Sequence, residues 1–487
     1  MKKQEVRVRF APSPTGFLHI GGLRTLLYDY LFAKKNKGTL VLRIEDTDQS
    51  RYVEGSIESL LETIKWSGLD YDEGIEKEGP YGPYQQSKRL ELYKEKVGEL
   101  VKAGKAYYAF DTAEELDAMR KEQQKAHVAP MYDRDSMKNS LTIGEEETQK
   151  KIDADDEFVV RLKVPEGKDI KFHDIVRGDV SINTNTVDDQ VLLKSDGFPT
   201  YHLAVVVDDH EMKISHVIRG EEWLPSTPKH VLLYEAFGWD LPEYAHVPLM
   251  LNTDKSKLSK RQGDVSVDHY RDVGYLPQAM LNFVVLLGWN PKTEQEIFTM
   301  EEMVDAFDLK KINKAGAVVD FERLNWFNSH FIKELDDNSY LEATKKVLGN
   351  TDSLSDKQLE KALLIQKDRI NKFDEVSHFM EMFVKYDDSY KSEDLIWKKS
   401  DKEETSDALK KAYTFIEDLP DEEFELEKLE EKLRELVTEM GIPAGNFFWP
   451  LRYALSGKPE SPGVFEMLWA LEKKESLKRI QVAQAKF

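Results

Sequence analysis

The chain of 487 residues contains no cysteine. That excludes a disulfide framework, a thiolate zinc site and a cysteine nucleophile. Long apolar runs are missing too: a bilayer-spanning helix needs roughly 18 to 20 apolar residues, and pieces such as Phe283 to Leu287 are the longest present. Membrane insertion is not expected. The opening MKKQEVRVRF lacks a secretory signal pattern, so the chain reads as cytoplasmic. Neither common phosphate cradle occurs, since there is no G-x-x-x-x-G-K-S/T and no G-x-G-x-x-G after a strand. This argues against a P-loop NTPase and a dinucleotide oxidoreductase.

Positive charge is short as well. Lys and Arg number 69 against 91 Asp and Glu, a net charge of -22, where nucleic-acid binders usually carry a basic excess. The average hides a pattern. Residues 401–440 hold 15 acidic against 6 basic side chains, whereas residues 441–487 hold 4 against 7. Basic clusters also occur at Lys2, Lys3, Arg7 and Arg9, at Lys34, Lys35 and Lys37, and at Lys255, Lys257, Lys260 and Arg261. An acidic body with local basic tracts can bind RNA through those tracts while discouraging unspecific contact. With 40% hydrophobic residues the chain is long enough for about three to five packed units.

What is present is most informative at residues 9–22, RFAPSPTGFLHIGG. A β-branched, basic run (Val6, Val8) breaks into a Pro/Gly-rich loop with one histidine, and a helical pattern follows at once. This is the layout of a nucleotide-binding strand-loop-helix. Glycine lets the backbone lie flat against a base or phosphate, the helix starting near Gly22 offers open N–H groups to anions, and His19 can donate a hydrogen bond to a phosphate oxygen.

Leu23 to Lys35 reads as a helix and Thr39 to Ile44 as a buried strand ending in Glu45-Asp46-Thr47-Asp48, which makes a β-α-β unit with His19 and Glu45 at the carboxyl ends of strands. Helices are expected at 57–66 and 87–103. Short strands at 157–164, 170–174 and 179–182 suggest an insertion. Sheet character is expected to return at Tyr201 to Asp208 and Ile214 to Arg219, before a helix at 228–237. From about Leu276 helices dominate, and Leu429, Leu433, Leu436, Val437 and Met440 mark an amphipathic surface helix.

Five segments occur in a telling order. They are the opening loop with H-I-G-G at His19 to Gly22, Arg43-Ile44-Glu45-Asp46-Thr47-Asp48, Asp196-Gly197-Phe198-Pro199-Thr200-Tyr201-His202 leading a strand, Val217-Ile218-Arg219-Gly220-Glu221-Glu222-Trp223, and Lys257-Leu258-Ser259-Lys260-Arg261 in a polar loop. With these, the chain from Val6 to its end resembles the bacterial glutamyl-tRNA synthetases, a branch of the class I aminoacyl-tRNA synthetases. The H-I-G-G stretch is similar to their H-x-G-H signature, with Gly22 in place of the second histidine, and KLSKR is similar to K-M-S-K-S.

The resemblance implies an α/β fold: a Rossmann-like parallel-sheet catalytic domain with an α+β acceptor-stem insertion, followed by an all-α anticodon-binding region. The implied boundaries are 1–105 and 191–240 for the two catalytic halves, 106–190 for the insertion, 241–328 for a helical stem-contact domain carrying KLSKR, and 329–487 for the anticodon-binding helices, in two subdomains. It implies ATP-dependent activation of L-glutamate to glutamyl-adenylate and transfer to the terminal adenosine of tRNA(Glu), leaving tRNA(Gln) open as a second acceptor. No covalent nucleophile is needed, so catalysis rests on alignment and charge stabilisation.

His19, Lys257 and Lys260 are the implied catalytic residues, with Lys260 the more important of the two lysines. ATP is expected against Thr15, Gly16, His19, Gly21, Gly22, Glu222, Lys257 and Lys260. Glutamate is expected against Arg9, Ser13, Glu45, Tyr201, Arg219 and Trp223. Arginine suits a side-chain carboxylate because its fork pairs bidentately, and Glu45 suits the α-ammonium. Mg2+ is expected with the ATP phosphates, and a monomer is expected. Asp208-Asp209-His210 and Asp46-x-Asp48 could pass for metal clusters, but are read as carboxylates capping turns and helix N-termini, so no metal ligand is assigned.

Some relatives hold zinc near the segment that here reads Tyr107-Tyr108-Ala109-Phe110-Asp111; without thiols that site cannot form, and the insertion must be held by packing alone. His127 reads as a surface histidine. Arg452 and Phe448 stand out among possible anticodon contacts no more than as core residues. Three rival readings are weaker. A paralogue that attaches glutamate to queuosine lacks the helical C-terminal third, a catalytically dead paralogue would have lost His19 or the lysine loop, and glutamine activation goes with a β-barrel anticodon module.

Overall fold

The computed structural model of the chain describes residues 5–258 and 266–487. Two compact units emerge, one running to Tyr270 and taking in Met280–Phe321, the other made of Arg271–Ala279 and Glu322–Phe487. Among the described residues no helix is long and apolar enough to cross a membrane.

In the first unit, β1 (Arg7–Phe10) is buried at every position and stops where Pro12 and Pro14 remove backbone donors. The helix α1 (Ile20–Lys35) starts three residues ahead of the expected Leu23, because His19 caps it. Its buried face carries Leu23, Leu26, Leu27 and Leu31. Strand β2 (Thr39–Leu42) then pairs in parallel with β1, from Arg7 opposite Thr39 to Phe10 opposite Leu42. This is the expected β-α-β unit. Helices Ser56–Trp66 and Leu90–Lys102 follow.

Strands β3 (Ala106–Ala109), β4 (Val159–Leu162), β5 (Asp169–Asp174), β6 (Gly178–Asn183) and β7 (Val191–Leu193) come next. An antiparallel sheet forms in the order β3-β4-β7. The hairpin β5–β6 joins a four-stranded sheet with β8 (His216–Gly220) and β9 (Glu243–Val247), in the order β6-β5-β9-β8, in which β5–β9 and β8–β9 are parallel. Just before β8, Ser215 stitches this sheet to β1: its N–H donates to the Arg7 carbonyl at 2.9 Å, and the Arg7 N–H donates to its Oγ at 2.8 Å. The Rossmann-like parallel sheet is thus present, and the active-site strands β1 and β8 lie side by side.

One expected strand is a helix. Residues 201–208 belong to the helix Tyr201–Glu211, in which Leu203 to Asp209 are all buried. A run such as Leu-Ala-Val-Val-Val favours strand by propensity and, being apolar all round, shows no helical stripe; burial on every side overrides the propensity. The 196–202 motif therefore leads a helix.

Asp208 and Asp209, at the end of that helix, do not cap anything. They are buried counter-charges: Asp209 accepts from Arg9 Nε at 3.1 Å and Arg43 Nη1 at 2.8 Å, while Asp208 accepts from Arg89 Nε at 2.8 Å, Gln86 at 2.9 Å and the Tyr93 hydroxyl at 2.8 Å. Arg43, fully buried, also holds Glu45 Oε1 at 2.8 Å. Asp46, by contrast, does serve a turn, accepting from the Ser87 N–H and hydroxyl.

Around the segment 107–111, packing is not the only support. The Tyr107 hydroxyl donates to buried Asp189 and the Tyr132 hydroxyl to Asp111, each at 2.6 Å, and Arg161 stacks over the Tyr132 ring at 3.9 Å. Buried hydroxyl–carboxylate bonds here help hold an insertion that has no thiols.

Every regular element described in the second unit is helical. Its core is gathered by Lys402–Asp418, Leu426–Met440, Ala444–Ser456 and Val464–Gln484, with Leu429, Leu433 and Val437 buried as the amphipathic pattern requires. Leu436 and Met440 pack at the edge of that core. Arg452 is tied down, donating to the Pro459 carbonyl at 2.8 Å, and Phe448 packs edge-on against Phe447 and Phe465.

Removing Arg43 would take a shared counter-charge from three buried carboxylates, leaving Asp209 to Arg9, Asp208 to Arg89, and Glu45 without the ion pair described for it. Arg43→Met is expected to lower unfolding free energy by about 3–5 kcal/mol, measured by urea unfolding with far-UV circular dichroism. A loss below about 1 kcal/mol, the scale of a surface change, would show that the array does not depend on it.

Candidate active site

A cleft of about 300 Å³ opens at the carboxyl ends of β1 and β8. It is lined by Arg9, Ser13, His19, Gly21, Gly22, Glu45, Tyr201, Arg219, Glu222, Trp223 and Lys257, which are drawn from segments more than 200 residues apart. Thr15 and Gly16 line an adjoining hollow of about 270 Å³ that shares Ser13, His19 and Gly22 with the cleft. Lys257 arrives because the chain turns back after Met250, with the Leu258 N–H bonded to the Met250 carbonyl. Lys260 and Arg261 lie outside the described residues, as do Lys2 and Lys3.

The loop before α1 works differently from the expected open helix terminus. His19 Nδ1 accepts from the N–H groups of Gly21 at 3.0 Å and Gly22 at 3.3 Å, so these two amides are already used. Amides only donate, so Nδ1 is unprotonated and the ring proton sits on Nε2. Gly21 is favoured by space: a Cβ there would lie 2.9 Å from both Cε1 and Nδ1 of the capping His19. The loop therefore presents a neutral imidazole donor to the cleft.

The cations of the cleft are held in two ways. Arg9 already has a carboxylate, Asp209, and donates to the Ile218 carbonyl at 3.4 Å. Burial opposes its charge, yet Asp209 raises its pKa. Asp209 itself is pushed up by burial but held below the usual carboxylate range by Arg9 and Arg43. Burial raises the Glu45 carboxyl, only partly offset by Arg43. Asp29, fully buried, is raised well above the usual carboxylate range by burial, with the Arg9 charge opposing.

Arg219 is only 5% exposed, and among the described residues all of its hydrogen-bond partners are neutral. Its Nε donates to His246 Nε2 at 3.0 Å, Nη1 to the Tyr201 hydroxyl at 3.3 Å and His230 Nδ1 at 3.2 Å, and Nη2 to Thr227 Oγ1 at 2.9 Å. Behind it, Asp174 Oδ2 accepts from His246 Nδ1 at 2.6 Å. Tyr201 and Trp223 stand together at the cleft, ring centroids 4.4 Å apart. A buried guanidinium without a counter-ion is a prepared anion site.

Comparisons with known proteins give the family. Residues 5–326 match the catalytic domain of the class I tRNA synthetases (E and Q), and residues 330–484 match an anticodon binding domain. The chain belongs to the class I tRNA synthetases of the E and Q branch. A glutamate--tRNA ligase of Alkaliphilus metalliredigens is 44% identical over 492 residues, covering 98% of each chain. One from Clostridioides difficile is 45% identical over 505 residues, again covering 98% of both. A crystal structure of a glutamate tRNA ligase from Elizabethkingia meningosepticum in complex with its amino acid superposes with a TM-score of 0.90 at 41% identity, covering 99% of both chains.

For this synthetase, the sequence pattern pointed to the residues lining the cleft but missed those behind Arg219. His246, His230, Thr227 and Asp174 left a faint signal, a polar residue inside an apolar stretch such as Tyr244-Ala245-His246-Val247.

Burial, with Arg219 nearby, holds His230 well below its ordinary range; burial likewise lowers His246, and takes His202 down to about 4. Unfolded imidazoles titrate near about 6.5, so below that pH the unfolded chain binds protons that the folded one refuses. Their contribution to stability is full above pH 6.5 and is lost as pH falls. Replacing one of them, His230→Asn, is expected to flatten the decline in unfolding free energy between pH 6.5 and 5, by up to about 1.4 kcal/mol per pH unit. Parallel pH profiles for the two proteins would show that His230 is charged in the fold.

Proposed function

We infer that this protein is a glutamate--tRNA ligase. The observation that carries the reading is Arg219, a buried cation whose partners among the described residues are all neutral, in a cleft that is also lined by an acid, Glu45, and by His19. Glutamate fits these charges, its side-chain carboxylate on Arg219 and its α-ammonium toward Glu45, which uses Oε1 for Arg43. Ser13, Tyr201 and Trp223 complete this pocket, and Arg9, already paired with Asp209, lines it beside them.

ATP lies along the loop, beside Thr15, Gly16, Gly21, Gly22 and Glu222, with His19 Nε2–H directed to a phosphate oxygen. An oxygen of the glutamate α-carboxylate attacks the α-phosphorus; the bond to the bridging oxygen breaks and pyrophosphate departs. Lys257 and Lys260 neutralise the charge that builds on it. The ribose hydroxyl of the terminal tRNA adenosine then attacks the glutamyl carbonyl, its proton passing to the departing phosphate, and AMP leaves with the bonding electrons. Magnesium is proposed to travel on the ATP phosphates, because among the described residues no three His, Asp or Glu side chains gather to hold a metal ion, and Asp46 and Asp208 are already bonded to Gln85 and Ser87 and to Arg89, Gln86 and Tyr93. The acceptor is tRNA(Glu), read by the helical region 330–484. We place the protein in the cytoplasm as a monomer.

The test is aminoacylation with labelled glutamate, ATP and purified glutamate and glutamine tRNAs. Glutamate should be esterified to tRNA(Glu), and charging of neither tRNA would refute the reading. In the same assay Lys260→Ala should lower kcat about 100-fold with an unchanged Tm; an intact rate would remove the lysine from the reaction. Arg219→Ala should raise the glutamate KM roughly 100-fold, and an unchanged KM would remove it from the pocket.

A further inference from the structure

Arg9, Arg43 and Arg89 each lie against an aspartate, but Arg219, equally buried, does not. Its surroundings are built of groups that accept a hydrogen bond without bringing charge. Guanidinium N–H groups only donate, so each ring nitrogen facing Arg219 must be an unprotonated acceptor. His246 therefore carries its proton on Nδ1, where Asp174 Oδ2 receives it at 2.6 Å. His230 carries its proton on Nε2, where His202 Nδ1 receives it at 3.1 Å. Asp174 is itself fixed at the end of β5 by the backbone N–H groups of Val176 at 3.0 Å, Arg177 at 2.8 Å and His246 at 3.1 Å. Two imidazoles are thus locked from behind, each in the tautomer that turns a lone pair toward the cation. Thr227 Oγ1 supplies the third acceptor.

We propose that His246, His230 and Thr227 are positioning and specificity residues, which hold the Arg219 guanidinium by neutral acceptors alone and so leave its charge to be neutralised by the side-chain carboxylate of the incoming amino acid. The inference rests on the reading of Arg219 as the carboxylate-binding residue. Its physical basis is a difference between two ligands. Glutamate brings the missing counter-charge into a site that lacks one. Glutamine brings a neutral amide, whose NH2 would face donors and whose oxygen cannot balance a buried cation. Had a carboxylate stood in place of either imidazole, Arg219 would be paired before substrate arrived, and much of that difference would vanish. Asp174 reaches Arg219 only through the His246 ring, which orients the ring without cancelling the charge.

The experiment uses two substitutions of one shape. An Asn or Asp side chain places an oxygen where His230 Nδ1 now stands, and the two differ in charge alone. Steady-state charging of tRNA(Glu) is measured with glutamate, and with glutamine as competitor, for His230→Asn, His230→Asp, His246→Gln, His246→Met and Arg219→Ala. Melting temperatures accompany each variant. His230→Asn should keep the glutamate KM within about threefold. His230→Asp should raise it roughly 10- to 100-fold and shift kcat/KM preference toward glutamine by a similar factor, with kcat less affected. His246→Met should raise KM over the same range, and His246→Gln, which restores an acceptor at the Nε2 position, should recover most of the loss.

Equal behaviour of His230→Asn and His230→Asp, or an unchanged glutamate-to-glutamine preference in His246→Met, would overturn the proposal even if Arg219→Ala abolishes glutamate binding. An unchanged KM in Arg219→Ala would instead overturn the underlying reading of the pocket. Should the Met variant fail to fold, the Asn/Asp pair decides the matter by itself.

Discussion

Charge compensation beneath the sheet is the constraint on which this catalytic unit depends. Arg43, with no exposure, stands between Asp209, Asp208 and Glu45, and Asp209 passes the pairing on to Arg9. Arg89 takes the other side of Asp208. Taking such charges from water costs several kcal/mol each, and only mutual pairing with good hydrogen-bond geometry offsets that cost. The members come from β1, the end of β2, the helix Leu90–Lys102 and the helix Tyr201–Glu211, so the array fixes how these elements meet. Because Tyr201 and Asp209 sit on one helix, about 12 Å apart along its axis, the pairing at one end sets where the Tyr201 ring stands at the other.

The same cleft contains the opposite design. Arg219 is as deeply buried as Arg9, yet its partners are two imidazoles and two hydroxyls. Arg24, which also lines the cleft, likewise has only carbonyl partners among the described residues, those of Leu287 and Pro248, so a site in which Arg9 is balanced and Arg219 is not will favour a ligand that carries a negative charge. On the reading proposed above, adenylate formation needs little beyond alignment, since the attacking carboxylate comes with the substrate and Lys257 and Lys260 would meet the leaving pyrophosphate. The neutral His19, its lone pair spent on the first turn of α1, belongs to this economy: it donates without adding another charge to the cleft.

Much of this was legible in the order of residues. The β1–α1–β2 unit followed from periodicity and from turn residues, because each element there has one buried face or a short buried run, and local pattern and tertiary role agree. The helix Tyr201–Glu211 was misread as a strand for the opposite reason: its surface is buried all round, so no stripe marks it, and Val205 to Val207 favour the extended form. At the site, the residues facing the cleft could be named because they fall in motifs that resemble those of the class I synthetases. His246, His230 and Asp174 could not, since their task concerns another side chain, and pairing across 72 residues, as between Asp174 and His246, leaves no local trace. The open amides expected at Gly21 and Gly22 were lost to a cap from His19, a choice that only the folded loop reveals.

The most direct measurement is a crystal structure of the protein with a non-reactive glutamyl-adenylate mimic. The predicted result places the glutamyl side-chain carboxylate within about 3 Å of Arg219 Nη2, the adenosine along Thr15 to Gly22, and the imidazoles of His230 and His246 unmoved. A mimic whose carboxylate is bound by another cation, or one that lies away from Arg219 and His19 altogether, would contradict the central claim.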